Sequence, residues 1–527
     1  MPSRRIIGTA TATAVGLAVL GLSPVTASAA TTSAAKTHAL SVHTAASASK
    51  VNKLTTGTTT DGITPSLTAT SAGALTFNYD ATASTDTEST IDSYTFAYGD
   101  GQTATNTTGT ASHTYTTAGT YTVTVTVTDE ADNSATVTDT VTTTGSDYTP
   151  YGPVRILDTR SGLGATEAPI AAGGTLVLTI AGAGTSGNTI PADVTAVTLN
   201  VTVTESTADG NIDAYPDGES APNTSNIHYY TDEDIANLVT VPVTDGKVDF
   251  LNSSSGTTDL VADVEGYYTP ADTDGYNAIN PGRILDTRAG TGAPEAAVAA
   301  DGTLAVTVAG ATITENTSST GNTTETLPDT GITAVALNII ATEGTKSGNV
   351  TVYADGSTRP ATSTLNYVTN TNIANAVIVP VTDGKFDLYN SSDGTVELVG
   401  DVQGYYTAGS GAAFVPVVPT RLLDTRTITD GALASGYAYQ LTDLETTGGI
   451  TAYELNTTIT AATVGGNLII HPTDESDNRT SNLNWNAGVT VASLDQATAS
   501  STGIAFYNAS AGTLQLIVDE FGYFATV

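Results

Sequence analysis

Three stretches of the chain open with nearly the same six residues and close with nearly the same six. The openings are RILDTR at Arg155–Arg160, RILDTR at Arg283–Arg288 and RLLDTR at Arg421–Arg426. The closings are DVEGYY at Asp263–Tyr268, DVQGYY at Asp401–Tyr406 and DEFGYF at Asp519–Phe524. The opening arginines lie 128 and 138 residues apart, so each unit is the size of a domain. Short solenoid periods, which run roughly 20–50 residues, are excluded. A chemistry present once would have to lie outside what the units share. Repetition of whole domains points to a spacer or a multivalent binder rather than to a single active site.

Each unit reads as short β segments separated by Gly, Asp, Asn and Thr. In the first, residues 175–180, 196–203, 211–215, 227–230, 238–243, 247–251 and 260–264 are strand-like, with turn signals at Thr244-Asp245-Gly246 and Ser254-Ser255-Gly256. No helical period intervenes, so the expectation is an all-β chain of tandem β-sandwich or jelly-roll domains. The units are set at 149–270, 277–408 and 414–527. The second repeats the first down to VPVTDGK at Val379–Lys385 against Val241–Lys247, and the third is more diverged.

Ahead of the units, residues 1–29 carry Arg4 and Arg5, an apolar run from Ile6 to Leu22 and Ala27-Ser28-Ala29, the pattern of a cleaved export signal. Threonines at 9, 11 and 13 interrupt the run, which argues against a membrane anchor. Nothing later in the chain reads as a membrane span. Residues 30–60 are Ala, Thr, Ser and Lys without apolar period, a flexible tether. The formal charge of −37 makes nucleic acid an unlike partner, because phosphate contacts need clustered Lys and Arg. With no cysteine, disulfides and thiolate metal sites are impossible, and stability must come from β cores.

Between tether and units lies a segment set at 61–145. Its alternation Tyr121-Thr-Val-Thr-Val-Thr-Val127 puts Tyr121, Val123, Val125 and Val127 on one face of a strand. Asp80–Ser84, Ser93–Gly101 with its YGDG turn, His113-Thr-Tyr115 and Gly119–Asp129 follow in order. These motifs resemble those of PKD domains, small immunoglobulin-like β-sandwiches, with Phe96 where the family usually has tryptophan. The resemblance implies a spacer, adhesion or polysaccharide-facing module, with His113 packed rather than catalytic. The units themselves resemble RxLDTR-type repeats of secreted proteins from high-GC Gram-positive bacteria. That resemblance implies an extracellular location and an architecture, and carries no activity.

Two sets of residues stand out as candidates. The first is the seam. Asp158 and Arg160 fall on one face of a strand, as do Asp286 with Arg288 and Asp424 with Arg426. The closing motif supplies Asp263, Asp401 and Asp519. The opening strand should run beside the closing one, with Arg155 or Arg160 in a bidentate pair with Asp263. Arg283 with Asp401 and Arg421 with Asp519 would repeat it. In the close itself, Gly266 suits a bulge or bend, and one of Tyr267 and Tyr268 should be buried. The second set follows the TSxLN-type segment: His228-Tyr229, Asn366-Tyr367 and Asn484-Trp485. An aromatic ring beside an amide or imidazole fits a sugar ring if exposed; if packed inward it is an ordinary strand core.

No GxSxG or HExxH motif occurs, the five histidines are scattered, and no catalytic residue is assigned. Asp272, Asp274 and Asp232-Glu233-Asp234 group oxygen ligands suited to Ca²⁺ without completing an EF-hand loop. The expected protein is a secreted, non-catalytic surface protein binding polysaccharide or cell-wall glycan weakly through units in series. An exported polysaccharide hydrolase and a pure spacer are the alternatives.

Overall fold

The computed structural model describes residues 36–39 and 53–526, apart from 73–74, 116–117, 144, 272, 319–320, 430, 443–448 and 476–479. The expected export signal and most of the expected tether lie outside the described residues. Every regular element among the described residues is a strand.

The first sandwich packs one sheet containing Ser66–Ser71, Thr76–Asp80 and Thr110–Thr114 against another containing Ile91–Ala97, Thr120–Asp129 and Ser134–Thr142. Val123, Val125, Val127 and Phe96 meet in its core. The tether does not run unpaired to residue 60. Lys53–Thr56 adds antiparallel to Ser66–Ser71, and Lys36–Ala39 pairs parallel with Ala438–Thr442. Backbone groups along a sheet edge accept such a strand whatever its side-chain pattern, which is why composition alone read it as tether.

Each repeated unit is a sandwich built on two sets of four antiparallel strands, the inner sets of the first two units joining through Tyr148 and Asp274 into one sheet. In the first unit the inner sheet runs Ile235–Pro242, Ala196–Thr204, Asp259–Thr269, Asp147–Asp158. Its outer sheet runs Thr175–Thr179, Lys247–Asn252, Gly210–Pro216, Ile227–Tyr229. The second and third units repeat both orders. Each sandwich closes over its own apolar core: Leu199, Val201, Phe250 and Val264 belong to that of the first unit.

The units are not strung out in series. Their inner sheets turn toward one another and share a further core built from all three. Six rings at its centre form a closed cycle. Within each unit the ring at the start of the opening strand meets the last ring of the closing motif at 5.1 Å: Tyr148 with Tyr268, Tyr276 with Tyr406, Phe414 with Phe524. Between units the contacts are tighter: Tyr148–Tyr406 and Tyr268–Phe414 at 4.4 Å and Tyr276–Phe524 at 4.3 Å. Such separations are those of favourable aromatic pairs.

The glycine of the closing motif makes room for this cycle. A Cβ on Gly266 would sit 2.1 Å from the Tyr148 ring, one on Gly404 2.2 Å from the Tyr276 hydroxyl, and one on Gly522 2.4 Å from the Phe414 ring. Both tyrosines after Gly266 are buried, not one: Tyr268 enters the shared core and Tyr267 its own sandwich. A strand buried on both faces has no solvent side on which to leave either ring.

Candidate functional site

The opening and closing motifs lie side by side as neighbouring antiparallel strands in every unit. Arg155 pairs with Asp263, Arg283 with Asp401 and Arg421 with Asp519 across the ladder. The Arg155 guanidinium grips Asp263 through Nε at 2.8 Å and Nη2 at 3.1 Å, and Arg283 grips Asp401 at the same distances. Arg421 holds Asp519 in the same bidentate manner. Burial pushes Asp519 up to about 6 despite Arg421.

Arg160 does not share a strand face with Asp158, because the strand ends at Asp158. Asp158 Oδ1 accepts the backbone N–H of Arg160 at 3.1 Å, curling the chain into a turn. The Arg160 guanidinium folds back onto the same carboxylate, with both contacts at 2.9 Å. Arg288 on Asp286 and Arg426 on Asp424 repeat the arrangement. The hydrogen bond from Arg160, then its charge, hold the Asp158 carboxyl below the usual range.

The aromatic positions point inward. Tyr229, Tyr367 and Trp485 are 2%, 4% and 4% exposed, so they are no platforms for a sugar. Tyr229 donates to Asn252 Oδ1, Tyr367 to Asn390 Oδ1, and Trp485 Nε1 to the Val464 carbonyl. The physical reason is the two-residue strand period: in each three-residue strand the flanking apolar residues, such as Ile227 and Tyr229, go in together. The residue between them, His228, Asn366 or Asn484, then faces the other way.

For His228 and Asn366 that other way is toward the neighbouring unit's arginines, and it brings the two candidate sets together across the interfaces. An asparagine on each of the inner-sheet strands Ala196–Thr204, Ile332–Thr342 and Ile450–Thr460 donates to the serine carbonyl of the next unit's TSxLN-type segment. Asn200 reaches Ser363 O at 2.6 Å, Asn338 reaches Ser481 O, and Asn456 returns to Ser225 O at 2.5 Å, closing the ring. Ser481 N also donates to Asp401 at 3.0 Å, so the seam carboxylate serves two units. Between the third and first units, His228 is packed beside Ser225. Burial first, then the charges of Arg426 and Arg421, hold it down to about 4. In the third unit Asn484 accepts from Ser481.

Between the first and second units the same arrangement leaves a cleft of about 360 Å³. It is lined from one side by Arg155, Arg160 and Asp234, and from the other by Asn349, Arg359 and Asn366. Asp234 accepts from the Thr204 hydroxyl. Sequence reasoning missed Arg359, which belongs to no repeated motif; its guanidinium lies 3.8 Å over the Tyr389 ring.

The Ca²⁺ candidates do not converge. Asp272 lies outside the described residues, Asp274 is buried in a strand, and Glu233 accepts from the Tyr230 backbone N–H. No group of three acidic or histidine side chains suited to a metal occurs among the described residues. Among the described residues no helix is long and apolar enough to cross a membrane.

Residues 63–144 match the PKD domain family. This segment is a PKD domain. Solved structures similar to it include the PKD1 domain of the Vibrio cholerae metalloprotease PrtV, at 34% identity over 15% of this chain and 93% of that one, TM-score 0.14. The PKD1 domain of Vibrio anguillarum Epp matches at 29% identity over 16% and 93%, TM-score 0.15. A carbohydrate-binding module of the β-sandwich superfamily matches at 17% identity over 41% and 98%, TM-score 0.17. Comparison with curated proteins gave no match. Inside the PKD domain, His113 Nε2 meets Asp100 of the YGDG turn at 2.7 Å and its ring stacks on Tyr98 at 3.8 Å. The contact ties the turn, which follows Ile91–Ala97, to Thr110–Thr114 in the facing sheet.

Proposed function

We propose that the chain is an exported, non-catalytic extracellular protein that binds polysaccharide at the clefts between its repeated units, with the PKD domain as a spacer or adhesion module. The observation that carries this reading is the polar cleft between the first and second units, where guanidinium, amide, hydroxyl and carboxylate groups converge. A sugar ring needs such directional partners at several points at once. The carboxylate lining the cleft is that of Asp234, whose Oδ1 accepts from Thr204 while Oδ2 remains for a ligand. A hydrolase would need one acid free to give up a proton and a second to face it.

The shared core supports contacts fixed in mutual geometry rather than beads on a string. Avidity therefore depends on how the glycan is presented, not on chain flexibility. The test is co-sedimentation of the whole protein with insoluble glucan, chitin and peptidoglycan, alongside an assay for released reducing ends. Retention without release is expected. Release of reducing ends would establish the hydrolase instead, and no retention on any polymer would leave the spacer.

A further inference from the structure

Of the seven arginines with described side chains, six belong to the opening motifs and each grips one or two carboxylates. Arg359 is the exception. It is exposed, lies over Tyr389, and pairs with no carboxylate among the described residues. Tyr389 is itself oriented by donating to Asp301 at 2.7 Å, so the guanidinium rests on a fixed ring.

In a chain with 53 acidic and 16 basic residues, an arginine left without a counter-ion beside a cleft needs a physical account. The matching place in the first unit, counted back from the shared Thr-Ser pair, is Ala221, so the first unit has no charge at this position. Asp158 and Asp263 are consumed by Arg160 and Arg155. The groups left facing a ligand are therefore Arg359, Asp234 and the amides of Asn349 and Asn366.

We infer that the cleft between the first and second units recognises a carboxylated sugar, a uronate within an acidic glycan. Arg359 takes the sugar carboxylate in a bidentate pair. Asp234 accepts from ring hydroxyls, and the two asparagines donate to ring or glycosidic oxygens. The volume of about 360 Å³ sits at the lower end for small-molecule sites, which suits one or two sugar residues of a chain that continues into solvent. The inference rests on the glycan-binding reading above and adds the ligand's charge.

The experiment is calorimetric titration of the whole protein with oligogalacturonate and with neutral galacto-oligosaccharide of equal length, repeated with Arg359→Gln. Because Arg359 is exposed, the variant is expected to fold, and circular dichroism checks it. The expected result is at least tenfold tighter binding of the uronate by the native protein, and a ratio near one for the variant. Equal affinity of the native protein for both sugars, or an unchanged ratio in Arg359→Gln, overturns the uronate assignment while leaving glycan binding in place. No heat with either sugar removes both.

Discussion

Replacing Glu454 by glutamine probes the core shared by the three units. The carboxyl is fully buried, and its charge bears on Tyr148, Tyr268, Tyr276 and Tyr406. Burial pushes it up to about 7, although contacts from Thr240 and Gln496 offset part of the effect. In the unfolded chain the same group releases its proton near 4.5. The folded state therefore holds one extra proton between these values. Stability is whole below about pH 4.5 and falls as pH rises to about 7, by roughly 3 kcal/mol in all.

Glutamine keeps the shape and has no charge to bury, so the variant escapes that decline. Urea unfolding followed by the fluorescence of Trp485, the chain's one tryptophan and a core residue of the third unit, reads the effect. At pH 4.5 the two proteins should agree to within about 1 kcal/mol, and at pH 8 the variant should be the more stable by roughly 2–3 kcal/mol. Asp495, held up to about 7 by burial, and Glu520, held up to about 8, tilt both proteins the same way. A stability difference that is equal at the two pH values, or a variant weaker at pH 8, would refute the reasoning.

Gly404→Ala drives a methyl into the Tyr276 ring and should cost about 1–3 kcal/mol by the same urea assay; Gly404→Ala with Tyr276→Leu should recover part of it. Arg283→Gln leaves Asp401, whose side chain is 2% exposed, without its counter-charge, and a loss of about 3–5 kcal/mol is expected. Arg426→Gln, at an exposed guanidinium, should cost under about 1 kcal/mol, and near-equal losses would argue against the seam as the stabilising pair. A chain ending at residue 411 lacks Phe414 and Phe524 and exposes Tyr268 and Tyr276. It should bind a hydrophobic dye and self-associate in size-exclusion chromatography, where independent domains would stay monomeric.

What was legible in the sequence was local. Opening and closing motifs recur together, and an arginine on one with an aspartate on the other places their strands side by side. The alternation of Tyr121 to Val127 likewise specifies a half-buried strand. The ring of units was hidden for a physical reason. Ala196–Thr204 alternates apolar with Thr and Asn, the pattern of a strand with one wet face, yet all nine residues are buried. Thr198, Asn200 and Thr202 face neighbouring units, and their polarity serves contacts such as Asn200 to Ser363. A polar face against a polar partner looks like a face against water. The same ambiguity hid the cleft, whose walls come from residues 155–261 and 349–391 and whose free guanidinium lies outside every repeated motif.

Identical subunits assembled about a threefold axis repeat every substitution three times. A carboxyl near that axis would come as a trio of like charges, and each crevice between neighbours would be a copy of the others. Linking the three copies in one polypeptide lifts that constraint. Glu454 stands where the sister units carry Thr198 and Ala336, and one crevice can be stoppered by a neutral imidazole while another is left open. Covalent continuity thus turns symmetry from an obligation into a scaffold on which each position is free to diverge alone.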